Sequence, residues 1–215
     1  MAEDIRINTV EIRGPAGLLE GIINANAEGN PRAIAVLAHP LPPEGGTLHT
    51  KCVFHVAKAF ARIDCPVLRF NFRGVGRSAG AFSGGRGEKE DFRAALAFMI
   101  ARYPEVTRIW AAGMSFGAWV AMTTGAEDAH VTALIGIAPP VTHYDFSPVM
   151  GAGKPTFLIH GERDELISIR DVRKFYAQLH EPKELVVIED ANHLFDGKVS
   201  EVGDAIEDLL QDFHD

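Results

Sequence analysis

Ser115, Asp164 and His193 have the residue types that acyl-transfer chemistry requires. A serine hydroxyl is a poor nucleophile until a base takes its proton. A histidine base in turn needs a carboxylate to fix its tautomer and to stabilise the imidazolium that forms. Ser115 is the centre of Gly113-Met114-Ser115-Phe116-Gly117. The apolar run Ile109-Trp110-Ala111-Ala112 before it reads as a buried strand, and Ala118-Trp119-Val120-Ala121-Met122 after it reads as a packed helix. A sharp strand-to-helix turn lifts the hydroxyl clear of the sheet in a strained conformation. Side chains two residues to either side would collide with neighbouring backbone, hence the glycines. The helix that starts there turns free N–H groups and a positive dipole end toward the serine.

The other two members are chosen among rivals. The chain has nine histidines, of which His180, His193 and His214 follow Asp164. His180 lies at a helix end before Glu181-Pro182, where an imidazole caps free carbonyls. His214 is penultimate and expected to fray. His193 stands in a loop directly after a strand and is the expected base. For the acid, Asp171 opens a helix as a first-turn charge. Asp164 is expected, and Asp145, in the connector after the fourth parallel strand, stays open as an alternative.

These residues need a scaffold that brings distant segments to one edge. Segments 5–13 and 18–25 read as two strands joined by a turn at Gly14-Pro15-Ala16-Gly17. Strand candidates then follow at 33–38, 66–71, 108–112, 133–138, 156–160 and 185–189. They alternate with helix candidates at 49–62, 89–102, 116–124, 169–179 and 199–213. This alternation predicts one α/β domain over 1–215, with right-handed crossovers, a mostly parallel sheet of about eight strands and helices on both faces. The opening strands would be antiparallel. In such sheets chemistry gathers at the carboxyl ends of the strands. His39, Arg73, Ser115, Pro139, Asp164 and His193 follow successive parallel strands there.

The chain resembles the α/β-hydrolase superfamily over essentially its whole length. Within it the resemblance is to small lidless bacterial hydrolases grouped with dienelactone-hydrolase-like and serine-esterase-like proteins. It is carried by His39-Pro40-Leu41-Pro42 with Gly45-Gly46-Thr47, by Asn71-Phe72-Arg73-Gly74-Val75-Gly76-Arg77-Ser78, by the Ser115 turn, by His160-Gly161-Glu162-Arg163-Asp164 and by Asn192-His193-Leu194-Phe195. The resemblance implies Ser115 as nucleophile, Asp164 as acid and His193 as base. It implies oxyanion donors at the backbone N–H of Leu41 and Phe116. Dienelactone hydrolases proper carry a cysteine nucleophile, so the serine here departs from their reaction.

Composition narrows the partners. A net charge of −8 argues against nucleic acid and anionic membranes. No segment reads as a membrane span, and Met1-Ala2-Glu3-Asp4-Ile5 lacks the features of a signal peptide, so a cytoplasmic location is expected. The two cysteines, Cys52 and Cys65, read as reduced core residues. No cofactor is implied. His39 has no partner at metal-ligand spacing and suits a bracing hydrogen bond beside Pro40. Gly74-Val75-Gly76 lacks a phosphate loop's lysine. Arg73, Arg77 and Arg86 are expected to pair with Glu88 and Glu90 and so order their loop. His39, Met114, Tyr144 and Phe146 are the candidates for a substrate pocket. Segment 139–155 is too short for a lid domain, so the site is expected to be open. The expected activity is hydrolysis of small or short-acyl esters through an acyl-enzyme. An acyltransferase or perhydrolase, a peptidase with the same triad, and a non-catalytic binding protein remain alternatives.

Overall fold

Strands whose side chains are apolar without interruption must be covered on both faces. The computed structural model, which describes residues 5–213, builds them that way. Its strands are β1 (Ile5–Gly14), β2 (Gly17–Asn26), β3 (Ile34–Ala38), β4 (Val67–Phe70), β5 (Ile109–Met114), β6 (Ala133–Ile137), β7 (Thr156–Gly161) and β8 (Lys183–Ile188). They form one eight-stranded sheet in the order β1-β2-β4-β3-β5-β6-β7-β8. β2 pairs antiparallel with β1 and β4, and every other pairing is parallel.

The helices are α1 (Lys51–Arg62), α2 (Arg86–Arg102), α3 (Phe116–Glu127), α4 (Ser147–Ala152), α5 (Ile169–Gln178) and α6 (Val199–Leu210). The two-residue period of β3 divides the core between the faces. Ile34, Val36 and Ala38 belong to one cluster with Phe92 and Leu96 of α2, Phe116 and Val120 of α3 and Phe175 of α5. Ala35 and Leu37 belong to the other, with Val56 and Phe60 of α1 and Val202 and Ile206 of α6. Burial on both sides fixes the strand register, because a one-residue slip would exchange the two sets.

Several local expectations are corrected. α2 begins three residues before the expected Lys89, because Glu88 accepts from the N–H of Ser83 at 2.9 Å and of Gly85 at 2.6 Å, capping the start. Glu88 therefore takes its hydrogen bonds from Ser83 and Gly85 rather than from an arginine, and acts on Arg73 through its charge alone. Arg73 instead grips Asp91 through Nε at 3.0 Å and Nη2 at 2.7 Å, with Glu90 at 3.5 Å, and Arg77 reaches back to Glu20 of β2 at 3.2 Å. The last carbonyls of α5, at Tyr176 and Leu179, accept from Lys183 Nζ at 3.0 and 2.7 Å, so Lys183 fills the capping role expected of His180. The 139–155 connector holds the unforeseen α4 but no lid domain. α6 stops at Leu210, short of the expected 213. Residues 1–4 and 214–215 lie outside the described residues, and with them His214 and most of the segment read for a signal peptide. No described helix is long and apolar enough to cross a membrane.

Cys52 and Cys65 are both free and buried. Burial in apolar surroundings pushes the Cys52 thiol up to about 12 and Cys65 well above its ordinary value. A thiolate-selective disulfide reagent should therefore leave both unlabelled in the native protein and label both in denaturant. Rapid labelling of either in the native state would contradict this burial.

Candidate active site

The β5–α3 turn is built on an absence of side chains. A Cβ on Gly113 would stand 2.1 Å from the Gly117 carbonyl oxygen, and one on Gly117 would stand 2.4 Å from Ala38 O and 2.5 Å from His39 O. Only glycine allows the first turn of α3 to press against the end of β3. Between them Ser115 takes φ 52° and ψ −123°, a left-handed conformation that costs a non-glycine residue about 1–3 kcal/mol. The turn is held by Ser115 N–H on Ile137 O at 2.8 Å and by Ala118 N–H on Ser115 O at 2.8 Å.

The structure brings Ser115, His193 and Asp164 into one hydrogen-bonded chain. Ser115 Oγ lies 2.9 Å from His193 Nε2, and His193 Nδ1 lies 2.7 Å from Asp164 Oδ2. A carboxylate only accepts, so Nδ1 carries the proton and Nε2 is free to accept from the serine. Asp164 Oδ1 accepts from the N–H of Leu166 at 2.9 Å and of Ile167 at 2.8 Å. Burial works to raise this carboxyl, but the hydrogen bonds from His193 and the Ile167 amide outweigh it. The group is held below the usual carboxylate range and stays ionised. Asp164 and His193 are buried, while Ser115 is partly exposed. The histidine loop is tied to the acid loop by Arg163 N–H on Ala191 O at 2.9 Å, and it is anchored by the buried Phe195 ring.

The rival acids lie elsewhere. Asp145 is fully exposed and accepts from Ser147 N–H at 2.8 Å and Ser147 Oγ at 2.9 Å, starting α4. Asp171 pairs with Lys174 at 2.8 Å in the first turn of α5. His180 is exposed.

The N–H groups of Leu41 and Phe116 have no hydrogen-bond partner among the described residues. The loop bearing Leu41 is clamped from the end of β4. Phe72 N–H donates to His39 Nε2 at 3.1 Å, Leu48 N–H donates to Asn71 Oδ1 at 2.8 Å, and Arg69 Nη1 donates to Leu48 O at 2.7 Å. His39 Nδ1 lies 2.7 Å from Pro40 O, so it donates there while Nε2 accepts. The imidazole is a brace between two backbone segments.

Two of the expected pocket residues therefore cannot line a pocket. His39 and Met114 have no exposed surface, and Met114 packs into the core on the α1–α6 face. Phe146 is also buried, edge-on to Phe175. Tyr144 alone of the four is partly exposed. It stacks on Trp119 at 4.4 Å and stands 5.9 Å from the Phe116 ring. Phe82, missing from the sequence-based candidates, meets Phe116 at 5.8 Å and is 39% exposed. Its position in a glycine-rich loop was the one available signal.

Comparison with known proteins is consistent with this geometry. A model of the family described as serine aminopeptidase, S33, matches residues 29–153. An uncharacterized protein of Rickettsia prowazekii (strain Madrid E) is 34% identical over 209 residues, covering 94% of this chain and 87% of that one. A solved structure from Xanthomonas campestris, described as a member of the α/β serine hydrolases without a lid, is 34% identical with a TM-score of 0.87, covering 94% of this chain and 93% of that chain. An α/β serine hydrolase homologue from Coxiella burnetii is 33% identical with a TM-score of 0.89, covering 94% and 97%.

The His39 brace has a measurable cost. Burial lowers this imidazole from 6.5 to about 4, against a smaller upward pull from the Pro40 carbonyl. Between those values the unfolded chain binds a proton that the folded chain excludes. Stability is therefore intact above pH 6.5 and declines as pH falls toward 4, by about 3 kcal/mol from this group. Denaturant titrations at pH 7 and 4.5 should show His39→Gln losing about 2 kcal/mol less than wild type over that interval. Equal losses would mean that His39 is not buried as the neutral form.

Proposed function

Since the chain belongs to the α/β-hydrolase superfamily and is a serine hydrolase in type, we propose that it is a cofactor-independent carboxylic-ester hydrolase acting on small or short-acyl esters. His193 Nε2 takes the Ser115 proton as Oγ attacks the ester carbonyl. The imidazolium is stabilised by Asp164. The tetrahedral oxyanion is received by the N–H groups of Leu41 and Phe116, each worth about 3–4 kcal/mol in the transition state. The alcohol leaves with the proton from His193. Water, activated by the same imidazole, then releases the acid and restores Ser115.

The observation that carries this reading is the continuous chain from Asp164 through His193 to Ser115, with the N–H of Phe116, the next residue, and that of Leu41 both without a partner among the described residues. Esters are favoured over amides because an alcohol leaves more readily than an amine. An active-site-directed fluorophosphonate should form an adduct at Ser115, and its absence would remove the enzyme reading. Cleavage of an aminoacyl amide faster than the matching ester would favour a peptidase. Diversion of the acyl group to added alcohol rather than water would favour an acyltransferase.

Ser115→Ala and His193→Ala should each lower kcat by roughly 10⁴ or more, and the double variant should be no worse than either. Asp164→Asn should be severely impaired and Asp145→Asn close to wild type, because Asp145 only caps Ser147. A dead Asp145→Asn enzyme would reverse the acid assignment.

Only residues 138–155 separate β6 from β7, too few for a lid domain. Open clefts enclose little of a long chain, and each CH₂ left in water forgoes ~0.8 kcal/mol. Across acetyl, butyryl, octanoyl and palmitoyl esters of one phenol, kcat/KM should fall with length and show no jump on emulsification. A maximum at octanoyl or beyond would show that Tyr144, Phe82 and their neighbours enclose a deeper acyl site.

A further inference from the structure

His160 is the penultimate residue of β7, four residues before Asp164, and no step of the proposed reaction uses it. Its side chain is wholly buried. Nε2 lies 2.9 Å from the Ile167 carbonyl oxygen and 3.4 Å from Asp164 Oδ2. Both neighbours are acceptors, so Nε2 carries the proton. Nδ1 is then a bare lone pair, and it is buried without a hydrogen-bond partner. Burial also holds this imidazole below the ordinary histidine range, so the ring is neutral.

An apolar side chain of similar volume would fill this space without stranding a nitrogen. The imidazole offers one thing an apolar residue lacks, which is a fixed N–H beside the acid loop. That N–H holds the Ile167 carbonyl. The amide of the same residue donates to Asp164 Oδ1 at 2.8 Å. The Ile167 residue is thus held at its oxygen by His160 while its nitrogen holds the carboxylate. With Oδ1 occupied, Oδ2 is the oxygen left to face His193 Nδ1 at 2.7 Å. The secondary approach of His160 to Oδ2 further restrains rotation of the carboxylate.

We propose that His160 is a positioning residue for Asp164, and that it sets the carboxylate orientation on which the Asp164–His193 hydrogen bond depends. This rests on the serine-hydrolase reading for its effect on rate, but not for its effect on that hydrogen bond. Without the His160 N–H the Ile167 carbonyl is a buried acceptor with no donor. The Asp164–Ile167 turn then shifts to recover one, and the carboxylate moves with it.

Three substitutions test this. The side-chain nitrogen of a glutamine stands as many bonds from Cα as Nε2, and that of an asparagine stands one bond nearer, so both are polar but only the first reaches Ile167. With active sites counted by fluorophosphonate titration, His160→Asn and His160→Leu should lower kcat roughly 10–100-fold, while His160→Gln stays within about threefold of wild type. KM should change little in all three. The deshielded proton of His193 Nδ1, followed by NMR, should persist in His160→Gln and be shifted or lost in His160→Asn. If His160→Leu does not fold, the glutamine–asparagine comparison decides alone. Equal kcat in those two, with the His193 resonance the same in both, would overturn the proposal. A wild-type protein that takes no fluorophosphonate would remove the hydrolase reading, and the NMR comparison would still decide the role of His160.

Discussion

The constraint on which the site depends is steric. The first turn of α3 touches the end of β3 so closely that no side chain fits at Gly117, and the turn folds so tightly that none fits at Gly113. That contact places the amino-terminus of α3 against the loop leaving β3. It is the reason the unpartnered N–H of Phe116 and the N–H of Leu41 belong to one region although 70 residues of sequence, 39–108, lie between β3 and β5. The strain in the Ser115 backbone is sustained because the buried cores on both faces fix β5 and α3 independently of the turn.

Around that contact, buried polar groups define directions that apolar packing leaves open. Hydrophobic burial sets which face of a strand points inward, but it does not aim a carboxylate or a peptide N–H. Asp164 is aimed by two amides and an imidazole. The Leu41 loop is aimed by His39, Asn71 and Arg69, all of them buried and all bonded to backbone atoms of another segment or to their own loop. Arg69 has no carboxylate partner among the described residues. It shares its charge with Asn24 Oδ1 at 3.0 Å, the Leu48 carbonyl and the face of Phe54 at 5.3 Å. Such groups are expensive to bury, which makes their concentration at the carboxyl edge of the sheet informative about where precise geometry matters.

The strand and helix order was legible because the signals are local: period, composition and glycine punctuation. The pairing of Ser115, Asp164 and His193 was legible because each follows a strand of a parallel sheet, and a parallel sheet carries such positions to one edge. The boundaries that were misplaced have particular causes. The start of α2 was hidden because Gly84 and Gly85 look like loop, while the residue that caps the helix, Glu88, acts backward across three positions. α4 was hidden because it spans only six residues, and its first turn depends on Asp145 bonding Ser147.

By itself, then, the sequence determined the order of elements, the elbow that only two glycines permit, and the chain order of nucleophile, acid and base. It could not determine which side chains face solvent at the site, because Met114, His39 and Phe146 differ from Tyr144 and Phe82 only in what other segments cover them. Nor could it determine the partners of Arg73, Glu88 and His160. For Arg73 and His160 they are set by distances to other elements, to Asp91 on α2 and to Ile167 beyond the end of β7. Such distances become defined only once β3 to β8 are laid side by side, for a charge or a ring nitrogen bonds to whatever acceptor packing brings within about 3 Å.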